Sequence, residues 1–399
     1  MISDSELEGL RARVEANLPS YLADLERLVN VDCGSYTKAG VDEIGAWVAA
    51  RLTELGADVS IEANDELGNT IVAVLRGSGT LKALLVGHMD TVFPEGTAAA
   101  RPYTTRDGRA YGPGTDDMKG GLLSGLYALQ ALPSNTVGSA RTSWVPFETL
   151  TFIANPDEEI GSPSSLPIIR RSAETADVCF VLEAARENGD IVSSRKGIAD
   201  FLVRIDGRAA HAGVEPEKGR SAALEAAHQT IALMALTDRW PGVTVNVGTI
   251  HGGMRPNVVT ETVELEVDLR AATRADMEAA EAAIREIAAS STVPDVTTTV
   301  SRRARWWPME KTAGTTALAE QAIELAGRLG FSLADTATGG ASDANTASAA
   351  GAPVLDGLGP VGGNAHAPTE YLELDSIVPR TTLLAALLLS VSRGPSLRR

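Results

Sequence analysis

Two histidines and a set of carboxylates stand where short apolar runs of this chain stop. ALLVG ends in His88, TLTFIANPD leads into Glu158 and Glu159, and VCFVL ends in Glu183. The glycine-rich stretch 112–121 carries Asp117, and GGNAH supplies His366. This donor set is what zinc takes, and a carboxylate shared between two ions roughly 3.5–4 Å apart makes a centre for hydrolysis. Asp117 is the expected bridge. Taken singly, a histidine at a strand end more often makes a hydrogen bond than ligates a metal, and a Glu–Glu pair is usually a solvated loop. The occurrence of all of them in one order carries the metal reading. Buried carboxylates need a partner, since an unpaired one costs on the order of several kcal/mol. Divalent cations would supply it.

The elements that must gather these groups are written in the same runs. The runs are short, rich in β-branched residues and separated by helical patterns, which predicts buried parallel strands of an α/β sheet. Ligands of such sheets bind outside the carboxyl ends of the strands. Groups placed where the runs end therefore converge, although they are spread from residue 88 to residue 366. From about Lys196 to Trp307 the pattern reads strand 198–206, helix 221–237, strand 243–250, strand 258–270, helix 275–290 and strand 296–305. That β-α-β-β-α-β order is ferredoxin-like. Helices near 315–329 and 376–392 then return the chain to the first domain. The expected division is a first domain made of 1–193 and 309–399 with 194–308 inserted in it, the hinges falling at Gly189–Asp190 and Pro308.

The segments GHMDTV (87–92), GPGTDDMKGG (112–121), NPDEEIGS (155–162), LEAA (182–185) and GNAHAPTEY (363–371) together resemble those of the M20 family of di-zinc metallopeptidases. Within that family the chain is most similar to the glutamate carboxypeptidase (carboxypeptidase G2-like) branch, from about Leu28 to the C-terminal helix. The resemblance implies a zinc-exopeptidase-like catalytic domain with a mixed, largely parallel sheet, plus an inserted ferredoxin-like lid and dimerisation domain. It implies that His88, Asp117 and Glu183 hold one zinc and that His366, Asp117 and Glu159 hold the other, with Co2+ or Mn2+ as substitutes. Asp90 would orient the His88 imidazole, Glu158 would be the general base, and the peptide bond after Asp117 would be cis.

The same resemblance extends to groups that face the substrate. His211 would reach the partner subunit's active site and donate to the oxyanion. Asn257 and Arg270 would recognise a free carboxylate, for which an arginine fork is suited. The glycines of TGGASD (338–343), Gly340 among them, could offer backbone N–H groups to that carboxylate, and Arg305 falls where a further arginine is expected. SRRARWWP (301–308) departs from the family pattern in crowding arginines beside Trp306 and Trp307. His228, mid-helix, matches nothing and reads as structural; His251 is ambiguous.

Composition narrows the setting. A chain of 399 residues can bury two cores. With 35 basic against 52 acidic residues and a net charge of −17, it opposes nucleic acid and anionic membranes. Cys33 and Cys179 make no disulfide framework, the N-terminus lacks a signal peptide's apolar core, and no apolar run approaches the roughly 20 residues of a membrane span. The expectation is a cytoplasmic homodimer acting on a small molecule with a free carboxylate. The expected reaction is hydrolysis of the amide bond before a C-terminal amino acid, glutamate first, by a water bridging two metals. The rivals are an N-acyl-amino-acid or acetylornithine deacylase, a dipeptidase on the same framework, and a non-catalytic scaffold.

Overall fold

The computed structural model describes residues 2–133, 136–137, 140–141 and 145–398. The chain divides into two compact units, one of Met1–Ser193, Lys311–Ala337 and Ser342–Arg399 and the other of Ser194–Glu310 and Thr338–Ala341. Gly189 and Asp190, expected as a hinge, instead close a tight turn inside the first unit, where Arg186 N donates to the Asp190 carbonyl at 3.0 Å. The segment 338–341 also goes with the second unit.

The first unit is built on a six-stranded sheet ordered Asp58–Glu62, Thr70–Arg76, Thr149–Asn155, Lys82–His88, Val178–Val181 and Val354–Leu355. The last four run parallel to their neighbours, and the first two join antiparallel. Strand Lys82–His88 has strands on both sides and is buried from Ala83 onward. Leu84, Leu85 and Val86 are almost wholly enclosed, each stabilising by roughly 1.5–3 kcal/mol.

Helices cover this sheet because their apolar residues recur at helical spacing. Along Asp4–Val29, Leu7, Leu10, Val14, Tyr21, Leu25 and Leu28 all face inward. A capping box starts that helix, with Ser3 and Glu6 each accepting the other's backbone N–H. The closing helix Ile377–Val391 is apolar nearly all round and buried. Leu374–Val391, 18 residues interrupted by Asp375 and Arg380, passes for a membrane span by length and composition alone, and 72% of it is buried inside the protein. Its composition is that of a core helix.

The second unit has the strand order Thr244–Gly252, Thr262–Ala271, Gly197–Asp206, Thr297–Trp306, all pairs antiparallel. Helices Ala222–Met234 and Arg274–Ala289 complete the ferredoxin-like β-α-β-β-α-β order. The strand expected from residue 258 begins at Thr262. Val258 and Val259 bridge instead to the loop at 210–211, where Val259 N donates to the Ala210 carbonyl at 2.9 Å.

Candidate metal centre

His88 closes the central strand and lies opposite Asn155 of its parallel neighbour. Three residues past Asn155 comes the short helical turn Glu158–Ile160. On the other side Val181 pairs with Val86, and Glu183 follows two residues later. The three strands therefore run out at one edge and deliver an imidazole and three carboxylates to it.

Asp117 and His366 arrive through a second, small sheet of Gly362–Gly363, Tyr371–Glu373, Arg109–Tyr111 and Thr104–Arg106. Strand Arg109–Tyr111 leads into the glycine turn that bears Asp117, and its neighbour Tyr371–Glu373 closes the loop that bears His366. Gly114 takes φ +75° there, and a Cβ on it would stand 2.7 Å from Thr91 Cγ2, so the turn requires glycine. The Asp117–Met118 peptide bond is cis.

The five expected ligands come together. Asp117 Oδ1 lies 2.9 Å from His88 Nε2, and Asp117 Oδ2 lies 3.2 Å from His366 Nε2. One oxygen is thus offered to each histidine. His366 Nε2 is also 3.1 Å from Glu159 Oε2, and His88 Nε2 is 3.8 Å from Glu183 Oε1. Ligand atoms of His88, Asp117 and Glu159 lie within 4.8 Å of one another, and so do those of His88, Glu158 and Glu183. Glu158 thus stands inside the cluster.

Asp90 organises the centre from behind. Its Oδ1 accepts from Glu158 N and its Oδ2 from Glu159 N, both at 3.2 Å, and Ser35 Oγ donates to Oδ2 at 2.7 Å. Toward His88 Nδ1 the nearer partner is the Asp90 carbonyl at 3.0 Å, with the carboxylate at 3.4 Å. Asp90 therefore fixes the imidazole mainly through its backbone and the Glu158–Glu159 turn through its side chain.

The electrostatics without metal are those of crowded anions seeking cations. Burial pushes Glu158 well above the usual carboxylate range, helped by Glu183, and burial raises Glu159 as well. Burial would raise Asp117 too, but hydrogen bonds from His366 and His88 outweigh it and hold Asp117 low. The bonds to Asp117 and Glu159 push His366 up to about 10. Burial works against a charged His88, yet Asp117 and Asp90 raise it well above its ordinary value. Protonated imidazoles here stand in for metal cations. Glu159 Oε1 is buried with no hydrogen-bond partner, a vacant donor that fits a divalent ion.

Two carboxylates next to this cluster escaped the sequence reading. Asp343 accepts from Ser162 Oγ at 2.7 Å and from Asn155 Nδ2, and burial pushes it up to about 6. Glu370 accepts from Gly114 N at 3.1 Å, Asp116 N at 2.9 Å and Asp117 N at 3.1 Å. Burial pushes Glu370 up to about 7 against those three donors. Each lies inside a quoted motif, TGGASD or GNAHAPTEY, but neither has a local signal; its partners are distant in sequence.

The expected substrate-facing residues all belong to the second unit. His211 is exposed, and its Nδ1 accepts from Gly213 N at 3.1 Å, which leaves the proton on Nε2 as a free donor. Asn257 is its neighbour, since the Asn257 carbonyl accepts from Ala212 N at 3.0 Å. Arg270 Nη1 donates to the Gly339 carbonyl at 2.9 Å, and its Nε donates to Asp268 at 3.1 Å. The Gly340 carbonyl accepts from Arg195 at 3.0 Å, so Gly340 and Arg270 are brought together.

Arg305 stands apart from both pairs. It lies 3.7 Å from Glu281 and 3.8 Å from the Trp307 ring centre. Arg302 pairs with Glu281 at 3.0 Å, Arg303 with Glu266 at 2.6 Å, and Arg274 also sits over Trp307, at 4.1 Å. The arginine and tryptophan crowding thus has an ion-pair and cation–π account. His228 is exposed on helix Ala222–Met234, and His251 is exposed on the strand Thr244–Gly252. Cys33 and Cys179 are buried free thiols.

Comparison with known proteins places the chain among metallopeptidase relatives. The family description "Peptidase family M20/M25/M40" matches residues 84–390. Carboxypeptidase G2 of Pseudomonas sp. (strain RS-16) is 31% identical over 384 residues, covering 94% of this chain and 90% of that protein. An acetylornithine deacetylase of Vibrio cholerae is 32% identical over 272 residues, covering 63% of this chain and 68% of that protein. Among solved structures, aminopeptidase PepT from Bacillus cereus superposes with a TM-score of 0.77 at 25% identity, covering 94% of this chain and 99% of its own.

Proposed function

Because the chain belongs to peptidase family M20/M25/M40 and is a hydrolase of metallopeptidase type, we propose that it cleaves the amide bond before a C-terminal amino acid, glutamate first, in N-acyl or peptidyl substrates. The observation that carries this reading is Asp117, whose two oxygens address two histidines 2.9 and 3.2 Å away. In this reading His88, Asp117 and Glu183 would hold one zinc, and His366, Asp117 and Glu159 the other, with cobalt or manganese as replacements. When bound, such ions supply Lewis-acid polarisation of the scissile carbonyl and make a water acidic near neutrality.

The chain's own groups do the rest. Glu158, held by its backbone to Asp90 and raised by burial, takes a proton from the attacking water and delivers it to the departing amine. His211 donates its Nε2 proton toward the oxyanion, reaching the site of a second copy. Asn257, Arg270 and Gly340 are the proposed carboxylate-recognising residues; Arg305, expected among them, is instead engaged by Glu281 and the Trp307 ring. Arg270 already spends part of its fork on Asp268 and Gly339, so a substrate carboxylate would share it with them.

A homodimer through the second unit is part of the same proposal. Its edge strand Thr244–Gly252 leaves Ile250 exposed, and helix Ala222–Met234 exposes Leu224, Ile231 and Met234, features that suit pairing. The unit would also serve as a lid that excludes bulk water. A cytoplasmic setting is proposed on the two unpaired thiols.

The runner-up is an N-acyl-amino-acid or acetylornithine-type deacylase, or a dipeptidase, favoured by the acetylornithine deacetylase relative. A panel of N-acyl-glutamates, dipeptides and N-acetyl-ornithine offered to the zinc-loaded protein separates these. Preferred cleavage of N-acyl-glutamates supports the first reading; turnover of N-acetyl-ornithine alone overturns it. A non-catalytic scaffold would turn over nothing.

A further inference from the structure

Glu370 lies four residues after His366 and is almost wholly buried, at 1% exposure. Its Oε1 takes the N–H groups of Asp116 and Asp117, and its Oε2 takes that of Gly114. Three donors from one four-residue turn therefore end on one carboxylate. Such charge-assisted bonds are about twice as strong as neutral ones, and here they act on the backbone that carries the expected bridging ligand.

The topology explains why this residue can do so. Tyr371 pairs with Tyr111, so the residue before one strand meets the residues after the other. Asn364 and His366 both take positive φ, 56° and 65°, which folds the intervening loop back. His366 thereby reaches Asp117 Oδ2 at 3.2 Å from the front, while Glu370 holds the Asp117 backbone from behind.

We propose that Glu370 is a positioning residue for the metal centre: it clamps the Gly114–Asp117 turn so that Asp117 presents one oxygen to each histidine, and it couples that turn to the loop bearing His366. The role rests on the two-metal reading above and is independent of which substrate is cleaved. Neutralising Glu370 while keeping its shape leaves only one good acceptor for three N–H groups. The turn then relaxes, and the ion shared between Asp117 and His366 is held less firmly.

The test uses the full chain, stripped with chelator, as wild type and as Glu370→Gln. Zinc affinity is measured by competition with a chromophoric chelator, and the cobalt-substituted spectrum is recorded for each. The expected result is a metal-free variant with wild-type far-UV circular dichroism, a loss of about 10- to 100-fold in affinity for one of two ions, and a changed cobalt spectrum. Glu370→Gln that binds both ions as wild type with the same spectrum overturns the role of Glu370 and leaves the two-metal reading standing. A wild type that takes up no divalent ion overturns both. Should Glu370→Gln fail to fold, Glu370→Asp keeps the charge and shortens the reach. An intact Glu370→Asp with selective loss of one ion supports the proposal, and wild-type affinity there overturns it.

Discussion

Turnover should depend most directly on Glu158, a carboxylate that is buried beside the ligands yet tied to Asp90 only through its backbone. Glu158→Gln should lower kcat by about 10²- to 10⁴-fold while metal content stays at the wild-type level; a variant with unchanged kcat removes Glu158 from the base role. The histidines give a second handle. His366 is pushed up to about 10 from 6.5, and a histidine raised in the folded state stabilises the fold fully below its unfolded value. In metal-free protein that contribution should fade as pH rises from about 6.5 through about 10. Zinc must displace the same proton, so its affinity should climb over that window. Thermal scans across it should fall with pH without zinc and stay nearly level in saturating zinc, and parallel trends would contradict the ligand assignment of His366.

At the scale of elements, the approach of helix Gly121–Ala131 to the end of strand Val178–Val181 decides how close Asp117 and Glu183 come. A Cβ on Gly121 would stand 1.7 Å from the Leu182 carbonyl oxygen. Gly121→Ala should therefore cost about 1–3 kcal/mol and weaken zinc binding, read as a lower unfolding midpoint and a shifted zinc titration. An unchanged midpoint would mean that the helix slides freely. The strand ends that carry His88, Glu158, Glu159 and Glu183 were legible in the sequence because a parallel strand buried on both faces reads as a plain apolar run that stops at its carboxyl end. Glu370 was not legible. Its partner Asp116 lies 254 residues away, and no local spacing encodes a bond that exists only after two short strands have paired. Nor did the sequence show that Val258 and Val259 leave the ladder, since β-branched residues suit a strand as well as a bridge to the loop at 210–211. The inserted unit was readable as a whole because its periodicity switches between two and 3.6 with each element. Gly189, expected as the hinge, takes a positive φ of 87° in a turn four residues before the division between Ser193 and Ser194.

For the whole molecule, six of the ten large exposed apolar side chains among the described residues belong to the second unit. Val214, Leu224, Ile231, Met234, Ile250 and Met254 lie there, against Tyr36, Ile61, Val92 and Ile323 on the first. If this face joins two copies, Ile231→Asp should give a folded monomer where wild type sediments as a dimer. It should also lose turnover, because His211 would no longer reach a neighbouring centre. A variant that is monomeric and fully active would show that each chain is self-sufficient. The net charge of −17 makes the cationic side chains scarce, and most of those in the crowded 302–305 stretch are already paired. Selection for an anionic substrate group must then come from a few local donors, with Arg270 foremost, and Arg270→Lys should raise KM more than it lowers kcat.

Counting the ions in wild type and Asp117→Asn, by elemental analysis of full-length protein dialysed against zinc, bears on the central claim most directly. Two zinc ions per wild-type chain, with both sites weakened by the single change at Asp117, is the predicted result. One ion or none in wild type, or a pair that survives in Asp117→Asn with unaltered affinity, would contradict a centre bridged by that residue.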